Sequence, residues 1–333
     1  MKKLKKVIAW TIVSILSLLL VIYIAFQVSP KPSVWIVSSV FNSKVEIQDS
    51  SAYRSALNKI EVVSNVRYTS MHKMNSLDVY YPKNGKNLPI LFWVQGVQEF
   101  AAYVAASGNV AVILVDYQKA PDLRYPGQIK QLDEAVRYIL SQKREYPMFD
   151  FRRIGLGGDS AGGQISAQYI LTQTSAVYAK ELTMEQTIDP EIIQAFINYC
   201  GPLDLKQSLE NKTDNKFMKF FVSTVGWSWL GKKDWYDSPE LDQASLVGHL
   251  TADFPPSFIT DGNNASFAEQ AISFKDRLQE LSVPTVSLFF ENKDKEVNHE
   301  YQFLYKTPEA KECLRLTLEF IEDYLVNPLS EIN

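Results

Sequence analysis

The chain has 333 residues, 46% hydrophobic and 22% charged, an ordinary globular composition that suits one large α/β domain with an appendage, or two small domains. A net charge of -4 leaves no basic surface to hold a phosphate backbone, so nucleic-acid binding is not expected. Cys200 and Cys313 stand far apart without metal-ligand spacing, and with only three histidines the chain promises neither a Cys/His zinc site nor a disulfide framework.

The N-terminus departs from this average. "MKKLKK" is followed by an uncharged, mostly apolar run from Val7 to Phe26. A helix of that length spans about 30 Å, the thickness of a bilayer's hydrocarbon core. A secretory signal has a shorter apolar region and a small-x-small cleavage site, and neither occurs before "QVSPKPS". Lys2, Lys3, Lys5 and Lys6 precede the run and only Lys31 closely follows it, so the positive-inside rule puts the N-terminus in the cytoplasm. The expected organisation is a basic tail over 1–6, a single-pass membrane anchor over 7–27, a connector over 28–58 and a domain over 59–333 on the outer face. A cleaved signal is the alternative.

Beyond the anchor, residues 34–58 read as an amphipathic helical connector. "KIEVVSNVRYTS" and "NSLDVYYP" alternate apolar with polar and predict an antiparallel hairpin. "LPILFWVQG" is a continuous apolar run, as expected of a strand buried on both faces; the helix "VQEFAAYVAASG" and a second buried strand, "NVAVILVDY", follow. The helix "YPGQIKQLDEAVRYILSQKREY" puts Leu132, Val136 and Ile139 on one face. Next come strand "RRIGLGG", helix "AGGQISAQYILTQTSAVYA", strand "IIQAFINYC", an aromatic-rich insertion over about 205–254, and strand "PPSFITDG". A helix from Ser266, strand "TVSLFFEN" and a last helix from Thr307 complete the chain. Such alternation predicts a doubly wound, mostly parallel sheet with its ligand site at the carboxyl ends of the strands. The insertion reads as a helical cap, since long segments inside a domain tend to be lids, or equally as a helix whose aromatics merely pack on the core.

Glycines crowd one place, "RIGLGGDSAGGQ". Gly158-Asp159-Ser160-Ala161-Gly162 fits G-x-S-x-G between an apolar strand and an amphipathic helix, the context of a nucleophile elbow. The sharp turn would expose the Ser160 hydroxyl, and the helix start would aim its amides where an oxyanion forms. An ordinary strand-to-helix turn is the bland alternative. A phosphate-binding turn does not fit, because no Gly-Lys-Ser/Thr follows.

"GGDSAGG", with the upstream "DYQKAP" and "YPGQIKQLDEAVRYIL", resembles the α/β-hydrolase family, and within it the esterases and lipases related to hormone-sensitive lipase. The resemblance covers roughly residues 60–325 and implies an α/β-hydrolase fold and serine-ester chemistry through an acyl-enzyme. Ser160 then needs a base. The family's chain order is serine, acid, histidine, which selects His299 in "EVNHEYQF" over His72, which precedes Ser160, and His249, which precedes the acid-bearing strand. The family's usual acid position falls here at Asn264 or Ala265. Asp261 is the nearest carboxylate and the first choice, with Glu269 and Asp204 behind it; a turn aspartate bonding its own backbone is the other reading of Asp261. Where the family usually carries His-Gly-Gly-Gly, this chain has Gln95-Gly96-Val97-Gln98 in a shorter loop. The backbone amide of Ala161 remains as an oxyanion donor, and the second would come from Gly96 or Val97.

The expected function is therefore a membrane-anchored serine hydrolase of small carboxylic esters, acting outside the cell with no cofactor and no metal. The altered oxyanion loop and displaced acid favour a second reading, a catalytically weak binding or envelope module on the same fold. An amidase or peptidase using the same triad is a third.

Overall fold

A computed structural model describes residues 2–41, 47–95, 97–210, 216–292 and 294–328. The apolar N-terminal run forms α1 (Lys2–Val28), long and apolar enough to cross a membrane and with its apolar side chains exposed. After a break at Ser29 and Pro30, α2 (Lys31–Phe41) and α3 (Ser50–Leu57) occupy the connector. The expected helical reading of 34–58 thus becomes two short helices, with residues 42–46 outside the described set.

The domain alternates strands and helices as the sequence predicts. In chain order these are β1 (Ile60–Arg67), β2 (Ser76–Pro82), β3 (Leu88–Val94), α4 (Gln98–Ser107), β4 (Ala111–Val115), α5 (Gly127–Ser141), β5 (Phe149–Asp159) and α6 (Ala161–Thr174). There follow α7 (Ala176–Glu181), β6 (Ile193–Tyr199), α8 (Leu205–Glu210), α9 (Lys216–Leu230), α10 (Pro239–Gln243) and β7 (Ser257–Thr260). Next come α11 (Ala268–Glu280), β8 (Thr285–Leu288) and α12 (Pro308–Ile321), which runs on into a π-helical turn over Glu322–Val326. The eight strands form one sheet in the order β1-β2-β4-β3-β5-β6-β7-β8. β1 and β2 pair antiparallel, as does β2 with β4, and the remaining strands run parallel.

Buried parallel strands need apolar residues on both faces, and β3 and β4 supply them in alternation. Ile90, Phe92, Ile113 and Val115 pack under α5, α6 and α11, while Leu91, Trp93, Val112 and Leu114 pack under α4 and α12. Leu132, Val136 and Ile139 of α5 are buried on the first face, where their spacing puts them. The helix expected to run unbroken after the elbow stops at Ser175, whose hydroxyl accepts from Tyr178 N (3.3 Å) and caps α7. β8 is also shorter than its apolar run, ending at Leu288.

Within 205–254, Leu230, Trp235 and Leu241 form a small buried cluster with Trp227 and Trp229 packed against it. Trp229 fixes this segment to the main body: its carbonyl accepts from Tyr125 N (2.9 Å) and its ring meets Tyr125 edge-on at 4.8 Å. Trp227, Trp229 and Trp235 thus serve packing. α2 lies against α9, and the Lys233 ammonium donates to Gln27 at the end of α1, so the N-terminal helices rest on this segment.

Candidate active site

The sheet register brings the carboxyl ends of its central strands level. Asp159 pairs with Tyr199, and Tyr199 with Thr260, so the next residues of three neighbouring strands, Ser160, Cys200 and Asp261, form one row. Backbone bonds continue the ladder through that row: Ser160 N donates to Tyr199 O and Cys200 N to Thr260 O, each at 2.8 Å.

Ser160 has φ 50° and ψ -122°, a conformation an L-residue adopts only under constraint, at a cost of about 1–3 kcal/mol. The glycines explain how the chain reaches it. A Cβ on Gly162 would lie 1.9 Å from Val94 O, and one on Gly158 would lie 2.5 Å from Gly162 C. The strand and the helix cross so closely that only hydrogen fits between them. Ala161 is the exposed first residue of α6, so its amide stands at the positive end of the helix, next in the chain to Ser160.

His299 Nε2 stands 3.4 Å from Ser160 Oγ. Its loop is fastened to the one after β7: His299 N donates to Asn264 O (3.1 Å), Val297 N to Asn263 Oδ1 (2.8 Å) and Asn264 Nδ2 to Asn298 Oδ1 (2.7 Å). The imidazole lies edge-on to Phe267 at 5.4 Å. On its other side Nδ1 faces Asp261 Oδ1 at 3.6 Å, within ion-pair range yet too long for a hydrogen bond, and Nδ1 has no hydrogen-bond partner. Such bonds are often long in unliganded enzymes and tighten with substrate. Asp261 is fully buried and held by two backbone amides, Gly262 N to Oδ1 and Phe267 N to Oδ2, both at 2.7 Å.

The alternative acids and bases of the sequence lie elsewhere. Asp204 precedes α8, its Oδ1 accepting from Gln207 N at 3.3 Å, and Glu269 is exposed in the first turn of α11. His249 bonds Asp242 O (3.1 Å) and lies tilted against the Tyr178 ring, and His72 lies in the loop joining β1 and β2. Asn264 serves the loop contacts just described, and Ala265 has φ 48°.

On the oxyanion side, Val97 precedes α4 without a side-chain cap. Gly96, the other candidate donor, lies outside the described residues. Gln95 has φ 60° and takes a 2.6 Å hydrogen bond from the Tyr117 hydroxyl. Two neighbours of the serine escaped the sequence reading. Asp159 is buried and accepts from Trp93 Nε1 at 2.8 Å; burial pushes its carboxyl well above the usual range despite that bond. Cys200 is buried beside Asp261, and burial together with the nearby Asp261 charge pushes its thiol up, which makes it a poor nucleophile. Cys313 is likewise a buried free thiol. The G-D-S-A-G-G string carried a signal for Asp159; only the strand register reveals Cys200.

A family model described as alpha/beta hydrolase fold matches residues 92–301. A protein of Acanthamoeba polyphaga mimivirus named as an alpha/beta hydrolase is 22% identical over 299 residues, 83% of this chain and 77% of its own. Esterase LipI of Mycobacterium tuberculosis is 26% identical over 185 residues, 54% of this chain and 53% of its own, so the chain spans about half of that relative's length. Among solved structures, an inhibited esterase B from Lactobacillus rhamnosis superposes with a TM-score of 0.70 at 18% identity, covering 87% of this chain and 96% of its own. At that identity the likeness concerns the fold.

Proposed function

This chain belongs to the alpha/beta hydrolase fold family, and we propose that it hydrolyses small carboxylic esters with Ser160 as nucleophile, His299 as base and Asp261 as the acid that orients it. The observation that carries this reading is the continuous line from Ser160 Oγ to His299 Nε2 (3.4 Å) and from His299 Nδ1 to Asp261 Oδ1 (3.6 Å), set on a strained elbow.

Ser160 Oγ attacks the ester carbonyl carbon while His299 Nε2 takes the hydroxyl proton. The imidazolium is held by the Asp261 carboxylate, which the Gly262 and Phe267 amides keep pointed at it. The carbonyl oxygen becomes an oxyanion and is received by the Ala161 amide, with Val97 supplying the second donor. Collapse breaks the bond to the alkoxy group, which leaves as the alcohol with the proton from His299. Water, deprotonated by the same imidazole, then attacks the acyl-enzyme, releasing the acid and restoring Ser160.

In the same reading α1 anchors the protein in the membrane with its N-terminus in the cytoplasm and the hydrolase domain outside, supported by the lysines before the helix and its exposed apolar surface. Fluorophosphonate labelling of the full chain tests the chemistry: one label per molecule on Ser160, lost in Ser160→Ala, is expected, and an unlabelled parent would overturn it. External protease on intact cells should digest the domain. Resistance, or release of a soluble form cut near the end of α1, would remove the anchor from the proposal.

A further inference from the structure

Among the described residues, one cluster beside the reacting groups has a member with no part in ester hydrolysis. Ligand atoms of Cys200, Asp261 and His299 lie within 4.8 Å of one another, drawn from the ends of β6 and β7 and the loop after β8. We propose that these three side chains form a binding site for a zinc-class divalent cation, and that the cation switches the hydrolase off.

The ligand set is thiolate, imidazole and carboxylate, the combination that suits zinc. Ligand atoms around a tetrahedral zinc stand about 3.3–3.6 Å apart, given its bond lengths of about 2.0–2.3 Å. The 3.6 Å between His299 Nδ1 and Asp261 Oδ1 is therefore long for a hydrogen bond but close to that of two ligands on one ion. Nδ1 has no other partner to give up. Each Asp261 oxygen accepts one backbone amide and keeps a second lone pair, so coordination leaves those bonds in place.

Charge also closes. A dication with one thiolate, one carboxylate and a neutral imidazole has no net charge, which lowers the cost of holding it among buried groups. The thiol proton is released to solvent as the sulfur–metal bond forms. His299 is the partly exposed member, so the ion enters from its side, and a water completes the fourth position.

Inhibition follows from the tautomer. A neutral imidazole that ligates through Nδ1 carries its proton on Nε2, and that nitrogen can no longer accept the Ser160 proton. This arm rests on the proposed function; the binding arm does not.

The test uses the full chain in detergent micelles. Cadmium should produce the thiolate-to-metal charge-transfer absorption at one equivalent; Cys200→Ser should abolish the band and Cys313→Ser should retain it. Zinc should stop hydrolysis of p-nitrophenyl butyrate and EDTA should restore it, while Cys200→Ser, at a near-parental uninhibited rate, should need at least about ten-fold more zinc, since loss of even an outer partner weakens metal sites by about that much. Cys200→Ala serves the same purpose if the serine variant does not fold. Absence of the band, or equal zinc sensitivity in parent and Cys200 variants, overturns the proposal. A protein that gives the band but hydrolyses no ester would overturn the proposed function and leave the cation site standing.

Discussion

Replacing Asp261 by asparagine separates the chemistry of the site from its architecture. The carboxylate accepts from Gly262 N and Phe267 N at 2.7 Å each and faces the His299 ring at 3.6 Å. An asparagine has one oxygen for these donors. Its amino group must face either the Phe267 amide or the Gly262 amide and imidazole side, donor against donor in a fully buried place. One unsatisfied buried donor costs about 1–3 kcal/mol. At about 2–4 °C per kcal/mol for domains of 150–250 residues, Tm should fall by several degrees. A stability reserve of about 5–15 kcal/mol keeps the variant folded at 25 °C. The kinetic effect is larger: with the imidazole in the wrong tautomer, kcat should drop by about 10³–10⁴ while KM changes little. Steady-state kinetics on p-nitrophenyl butyrate, beside a thermal melt by circular dichroism, reads both effects. A kcat within a few-fold of the parent's, or an equal loss from Glu269→Gln, would refute the assignment of the acid.

Ser160→Ala and His299→Ala should fall to the same background rate, with the double variant no slower, because the two act as one unit; an inactive His249→Ala would contradict this choice of base. Gly162→Ala should abolish activity and lower Tm, since its Cβ would meet Val94 O at 1.9 Å, whereas Gly248→Ala, with nothing within 4 Å, should be silent in both assays. Burial holds the Asp159 carboxyl well above its ordinary 3.8, so above about pH 4 the native state keeps a proton the unfolded chain has lost, and this group's contribution to stability falls as pH rises through that window. Asp159→Asn keeps an acceptor for Trp93 and removes the titration; its Tm relative to the parent's should rise from pH 4 to pH 8, and a pH-independent difference would count against this account.

The parts of the fold set by local pattern were legible in the chain. The unbroken apolar runs of β3 and β4 and the 3.6-residue spacing of Leu132, Val136 and Ile139 each dictate one way of burial, and the structure adopts it. The break at Ser175 was not legible, because the apolar pattern continues across it while the serine caps a new helix. The proposed acid was ambiguous for a related reason. Asp204, Asp261 and Glu269 all follow strands within a short distance, and choosing between them requires the path of the loop. The tight turn that aims the Gly262 and Phe267 amides back at Asp261 is a property of backbone geometry, with no residue pattern to announce it. Cys200 was invisible as a neighbour of the site because its place depends on the alignment of β6 with β7, across dozens of intervening residues.

Backbone strain marks the same place by an independent route. Asn65, at the irregularity within β1, and Asn87 and Asn109 have positive φ, which asparagine tolerates. Around the carboxyl ends of the strands the same conformation falls on Gln95, Ser160, Cys200, Ala265 and Glu300, residues that gain nothing from it locally. Thr183 and Ser282, in the turns after α7 and α11, are the exceptions. Strain of this kind persists only where surrounding structure over-determines it. Here the surroundings are a register-locked parallel sheet, whose ladder bonds to Tyr199 O and Thr260 O hold Ser160 and Cys200 in place. The sheet thus fixes the serine in its strained turn and draws Cys200 and Asp261 together, so the proposed hydrolytic line and the proposed cation site arise from one register.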